Sequence, residues 1–88
     1  MSYQVVSAAA ARRDMSRVPP RIAPAIIEFV YGDLSANPRR VGKSLDRKLM
    51  GSFSARCGPY RILYDIDPNT ETIEILRVDH RSDIYRRR

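Results

Sequence analysis

The sequence predicts an α+β domain, ordered β-α-α-β-β-β, in which a helical hairpin packs on one face of a small, mainly antiparallel sheet. Three observations lead there. Apolar residues recur at helical spacing on either side of Pro19-Pro20. From Gly51 onward apolar and polar residues alternate at period two, broken by the turn signals Gly58-Pro59 and Asp67-Pro68-Asn69-Thr70. The chain has 88 residues and is 43% hydrophobic, which supports one modest core across residues 1–88 and not two.

Tyr3 to Val6 favours extended structure and is read as the first strand. Ser7 stands where a helix N-cap is expected. Ala8, Ala11, Met15 and Val18 then fall on one helical face, with Arg12, Arg13 and Arg17 off it. Pro19 and Pro20 end this helix, since proline lacks the donor and clashes with the preceding turn. A second helix is expected at once, with Pro20 near its first turn. Its stripe is Ile22, Ile26, Phe29, Val30 and Leu34, widened by Ile27 and Tyr31. It should stop near Ser35-Ala36-Asn37, before Pro38.

Arg39 to Met50 reads as a basic connector carrying Arg39, Arg40, Lys43, Arg47 and Lys48, a solvated loop in the plain reading. Three strands follow. In Gly51 to Cys57, Phe53, Ala55 and Cys57 alternate with Ser52, Ser54 and Arg56. In Tyr60 to Ile66, Tyr60, Ile62, Tyr64 and Ile66 alternate with Arg61, Leu63 and Asp65. One set of each faces the core and the other faces away. Thr72 to Val78 completes the meander, and residues 80–88 form a basic tail around Ile84 and Tyr85.

The 16 Lys and Arg against 10 Asp and Glu give a net charge of +6 and an isoelectric point near 10.1. Such an excess points to a polyanionic partner, a nucleic acid or an acidic protein, although many basic domains are simply soluble. Cys57 is the only cysteine and His80 the only histidine. No internal disulfide can form, which fits a reducing cytoplasm, and no standard zinc site can be assembled. No apolar run approaches the roughly 18 residues of a membrane span. Met1 to Ala11 lacks the charged start of a signal peptide, so none is expected.

If Gly58-Pro59 is a two-residue turn, Cys57 lies opposite Tyr60 and Arg56 opposite Arg61. Both arginines then project from the open face. Like charges across strands are unfavourable by a few tenths to about 1 kcal/mol. A bound anion relieves that cost, and the planar guanidinium fork suits phosphate. The plain alternative pairs one arginine with Asp65 or Glu74. Beyond the last strand come His80, Arg81 and Tyr85. Histidine is the side chain whose ordinary pKa suits proton transfer near neutrality.

These segments resemble a known family. Gly58-Pro59-Tyr60-Arg61-Ile62-Leu63-Tyr64 is similar to the G-x-Y-R-hydrophobic-hydrophobic-Y core of RelE-like toxins. Residues 75–85, from Ile75-Leu76-Arg77 through His80-Arg81 to Tyr85, resemble their closing strand and terminal H-R-x-x-x-Y pattern. Arg39 to Leu45, followed by Leu49-Met50-Gly51, resembles their K-x-L linker. The three motifs occur in order, and the resemblance covers essentially the whole chain.

The resemblance implies a toxin of a toxin–antitoxin pair that cuts messenger RNA in the ribosomal A site. The messenger's 2′-hydroxyl attacks the adjacent phosphate, with neither metal nor cofactor. It implies that Arg61 contacts the scissile phosphate, that Arg81 stabilises transition-state charge and that Tyr85 stacks on or orients the base. Arg56, Lys43, Arg47, Lys48, Arg39 and Arg40 are the RNA-binding candidates. The best-studied relatives carry lysines at the positions of Ser52 and Ser54, and serine can replace neither a base nor a clamp. His80 is the candidate base, with Lys43, Arg47 and Lys48 as the other source of charge. The implied partners are the ribosome, messenger RNA and a cognate acidic antitoxin, the last in a toxin–antitoxin hetero-oligomer, in the cytoplasm and away from membranes. The competing readings are a ParE-like protein that binds gyrase, a catalytically weakened toxin and a plain nucleic-acid-binding domain.

Overall fold

The computed structural model describes residues 2–44 and 52–80. Strand β1 (Gln4–Ser7) leads into helix α1 (Ala9–Arg17) and helix α2 (Ala23–Phe29), which continues as a π-helical segment (Val30–Leu34). A short helix α3 (Pro38–Val41) and a two-residue strand β2 (Lys43–Ser44) come next, followed by β3 (Ser52–Cys57), β4 (Tyr60–Asp67) and β5 (Thr72–His80). The sheet order is β1-β5-β4-β3-β2. Only β1 and β5 run parallel; the other pairings are antiparallel. The helices pack on one face, α1 against β5 and α2 against β3. This is the α+β arrangement that the sequence predicts.

The core forms where helical and strand periodicities meet. Ala11 and Val18 of the first helical face are buried with Ile26, Val30 and Leu34 of the second. They pack against Ala55, Tyr60, Ile62, Tyr64, Ile73, Ile75 and Val78 from the sheet. Ile27 and Tyr31 do not widen the second stripe: they are 48% and 61% exposed and rim an apolar cleft between the helices. Ile27 and Tyr31 follow Ile26 and Val30 by one residue, about 100° further round the helix, which turns them to the edge of the buried face.

Other boundaries shift for identifiable reasons. Ser7 is not the cap of α1, because β1 runs through it in register with Ile75 and places Ala8 at the cap position. The Ser7 carbonyl instead accepts a bond from Arg12 Nη1 at 2.6 Å. Residues 19–22 form a turn, so α2 starts at Ala23 and Pro24, not Pro20, occupies its first turn. Part of the basic connector is ordered as α3 and β2. The closing strand reaches His80, two residues beyond Val78. A bulge between Leu63 and Tyr64 of β4 leaves Leu76 as the extra residue on β5.

The sheet edge beyond β1 is closed by a side chain. Parallel pairing stops at Ser7–Ile75, and α1 then lies beside the rest of β5. Asp14 of α1 accepts the Val78 N–H at 2.9 Å, as a neighbouring strand would. It also takes two bonds from Arg77, at 2.7 and 3.2 Å. Burial pushes its carboxyl up, but the Arg77 and Val78 hydrogen bonds and the charges of Arg77 and Arg17 outweigh that and hold it below the ordinary range.

Candidate active site

The site is built on the β3–β4 hairpin. Gly58 takes a positive φ of 61°, which suits glycine at the first position of a two-residue turn. That turn sets the register: Cys57 faces Tyr60 and Arg56 faces Arg61, as expected from the sequence. The faces follow by alternation. Ala55, Tyr60, Ile62 and Tyr64 are buried under the helices, while Arg56 is exposed and Arg61 half-buried on the opposite face. Among the described residues neither arginine makes an ion pair. Asp65, one of their possible partners, accepts the Ser52 hydroxyl at 2.7 Å. Asp79 stands across from Arg61 in the ladder, with its carboxylate 3.5 Å from Arg77.

The connector brings a third cation. Strand β2 pairs with β3 so that Lys43 lies directly across from Ser54. Lys43, Arg56 and Arg61 line one groove of about 390 Å³ with Val41, Ser54 and Ala55. The opposite end of the same face is acidic, with Asp65 across from Glu74. Three cations, two of them planar forks, thus surround a solvent-open volume at one end of a polarised sheet. Such a cluster can hold a phosphodiester and stabilise negative charge that develops on it.

His80 is not brought to the arginines. Its register partner is Tyr60, on the helix side, and its ring meets Tyr60 edge-on with centroids 5.1 Å apart. It shares a small recess there with Asp14, Arg17 and Val18. Arg39 and Arg40 lie exposed on α3, next to Val41 of the groove. Arg47, Lys48, Arg81 and Tyr85 lie outside the described residues. Cys57 is half-buried, and burial pushes its thiol up, away from a nucleophile's range.

Two residues important to this geometry escape a reading of the sequence alone. Asp14 is spaced with Ala11 and Val18, which places it at the buried side of α1 but names no partner, and its partners lie 63 and 64 residues away. Tyr64 is legible as a core position, but its hydroxyl donates to the Pro38 carbonyl at 2.6 Å, across 26 residues. A buried tyrosine needs such a partner, which is the only signal the sequence carries.

Residues 5–85 match the family model of the ParE toxin of type II toxin–antitoxin systems. Toxin RelG of Mycobacterium tuberculosis is 59% identical over 87 residues, covering 99% of this chain and 100% of that protein. Toxin RelE of the same organism is 46% identical over 84 residues, covering 96% of this chain and 87% of its own length. A chain in the crystal structure of the RelBE2 toxin–antitoxin complex from M. tuberculosis matches with a TM-score of 0.87 at 56% identity, covering 92% of this chain and all (100%) of that one. The isolated RelE toxin of E. coli has a TM-score of 0.75 at 14% identity, over 97% of this chain and 93% of that one, a likeness of fold. The hairpin, the flanking segments and these matches agree: the chain belongs to the ParE toxin family, within the RelE/ParE superfamily of type II toxin–antitoxin systems.

Proposed function

We propose that this chain is a RelE-type toxin that cuts messenger RNA in the A site of a translating ribosome. The observation that carries the reading is the placement of Arg56, Arg61 and Lys43 in one groove of the open sheet face. In this reaction the messenger's 2′-hydroxyl gives its proton to water and attacks the adjacent phosphorus, and the 5′-oxygen of the next nucleotide leaves, taking a proton from water. A 2′,3′-cyclic phosphate remains. Charge builds on the non-bridging oxygens, so the protein's task is to position the strand and supply fixed cations. Arg61 is assigned to the scissile phosphate, Arg56 to its other oxygen or the next phosphate, and Lys43 to the position beside Ser54. No metal is required, since guanidinium and ammonium groups neutralise the developing charge.

Arg81 is the first residue after β5 and is assigned to transition-state charge, and Tyr85, four residues later, to base stacking. His80 sits against Tyr60 on the helix side, so in this reading it anchors the end of β5 while the cations act on the phosphate. Arg39 and Arg40 extend the basic surface toward ribosomal RNA, and Arg47 and Lys48 of the same connector are assigned to the same partner. The names of the similar proteins, toxins RelG and RelE, favour this branch over gyrase binding. A cognate antitoxin is the second proposed partner, by analogy with the RelBE2 complex. The cytoplasm, where ribosomes translate, is the proposed compartment.

The test compares a defined messenger free in solution with the same messenger on ribosomes in a purified translation reaction. Cleavage is expected only on ribosomes, inside the A-site codon, with a cyclic phosphate at the new 3′ side. Intact messenger on ribosomes, together with inhibition of supercoiling by gyrase, would replace this reading with the ParE-like one.

A further inference from the structure

The Pro38–Ser44 segment is held against the sheet by the short β2–β3 pairing and by one buried hydroxyl. Tyr64 is fully buried on β4, on the helix side, with its ring stacked on Phe53 of β3 at 5.7 Å. Its hydroxyl reaches past β3 and donates to the Pro38 carbonyl at 2.6 Å. The backbone of Gly42 packs directly on the same oxygen. Chain and side chain are in such close contact that a β-carbon at Gly42 would overlap the Tyr64 hydroxyl and lie 2.8 Å from the Ser54 carbonyl. Both ends of α3 are thus fixed to one phenol.

The next residue after Gly42 is Lys43. Strand β2 has two residues and sits at the edge of the sheet, so its own ladder is too short to set its position. Pro38 and Gly42 flank the short helix that leads into it. What registers Lys43 opposite Ser54 is therefore the attachment of the preceding turn to Tyr64.

The geometry points to Tyr64 as a positioning residue: from the buried face, its hydroxyl pins Pro38 and Gly42 so that Lys43 stands beside Arg56 and Arg61 on the open face. Tyr64 touches no substrate. It acts through the backbone, and its effect is felt as the placement of one ammonium group. The inference rests on the groove being where RNA phosphate binds.

The test is a double-mutant cycle with two readouts: cleavage on ribosomes, and affinity for a 2′-O-methyl RNA oligonucleotide that cannot be cut. Tyr64→Phe keeps the ring and removes only the hydroxyl. Tyr64→Phe and Lys43→Ala are each expected to weaken both readouts by about tenfold, the scale of one charge-assisted contact. The double variant should be no worse than Lys43→Ala alone. Ser54→Lys places an ammonium on β3 itself, where the β3–β4 ladder holds it. In the Lys43→Ala, Ser54→Lys background, both readouts should recover and Tyr64→Phe should have no further effect. Losses that multiply in the double variant, or a Tyr64→Phe effect that persists in the Ser54→Lys background, would make Tyr64 a general packing residue and overturn the proposal. Tyr64→Phe matching wild type would overturn it equally. Oligonucleotide binding by the groove without cleavage on ribosomes would sink the ribonuclease reading alone, and the binding cycle would still decide the role of Tyr64.

Discussion

Asp14 is the side chain through which the helical layer and the sheet edge are joined, and its chemistry predicts a pH dependence. It is 6% exposed and takes bonds from Arg77 and from the Val78 amide. Replacing it with alanine leaves a buried N–H unpaired and releases Arg77, for a cost of about 2–3 kcal/mol. Because its pKa is held below the ordinary value of about 3.9, its ionisation favours the folded state. That contribution is complete above the ordinary value and is lost as pH falls through the depressed one. Thermal melts should therefore lose stability only below about pH 4 on this account. Asp14→Asn should be less stable at neutral pH and show a shallower acid decline. An acid decline equal to wild type in that variant would show that Asp14 is not the titrating group. Helical spacing sets Asp14 beside Ala11 and Val18 at the border of the buried row, but nothing in the chain near it announces its partners. A polar side chain that completes a sheet edge is defined only once the strands are assembled.

At the scale of elements, the β3–β4 hairpin was legible because every local signal agreed. Period-two alternation, a Gly-Pro turn and the two-residue loop length together fix the pairing of Arg56 with Arg61. Gly58 carries this register. Its φ of 61° is one that alanine adopts at a cost of about 1–2 kcal/mol, although a β-carbon there would meet nothing within 4 Å. Gly58→Ala should lower the urea midpoint by an amount corresponding to about 1 kcal/mol, with an unchanged m-value. A variant as stable as wild type would mean that the turn is free to adopt another geometry. Strand β2 and helix α3 were not legible, and the reason is length. Two and four residues are too few to show a period, and their order comes from Tyr64, Pro38 and Gly42 meeting in space. The π-helical segment hid for a related reason: Ile26, Val30 and Leu34 keep helical spacing through it. The groove was accordingly half visible. Two arginines could be paired from the sequence, while Lys43 was one of several connector cations until β2 placed it.

The whole molecule presents a polarised sheet. Lys43, Arg56 and Arg61 occupy one end of the open face, and Asp65 and Glu74 face each other at the far end. Each like-charged pair costs some stability alone. Together they orient the protein toward a polyanion, with the basic end attracted and the acidic end repelled. The helices cover the other side of the sheet, so among the described residues the basic groove lies on the face they leave open. Among the described residues no helix is long and apolar enough to cross a membrane. We propose that the arginine face cleaves the A-site codon. Primer extension on a messenger in a purified translation reaction, with wild type and Arg61→Ala side by side, tests it most directly. A ribosome-dependent cut in the A-site codon that falls by about 10² or more in the variant is the predicted result, the scale for loss of one preorganised transition-state donor. An equal cut from both proteins would contradict the claim.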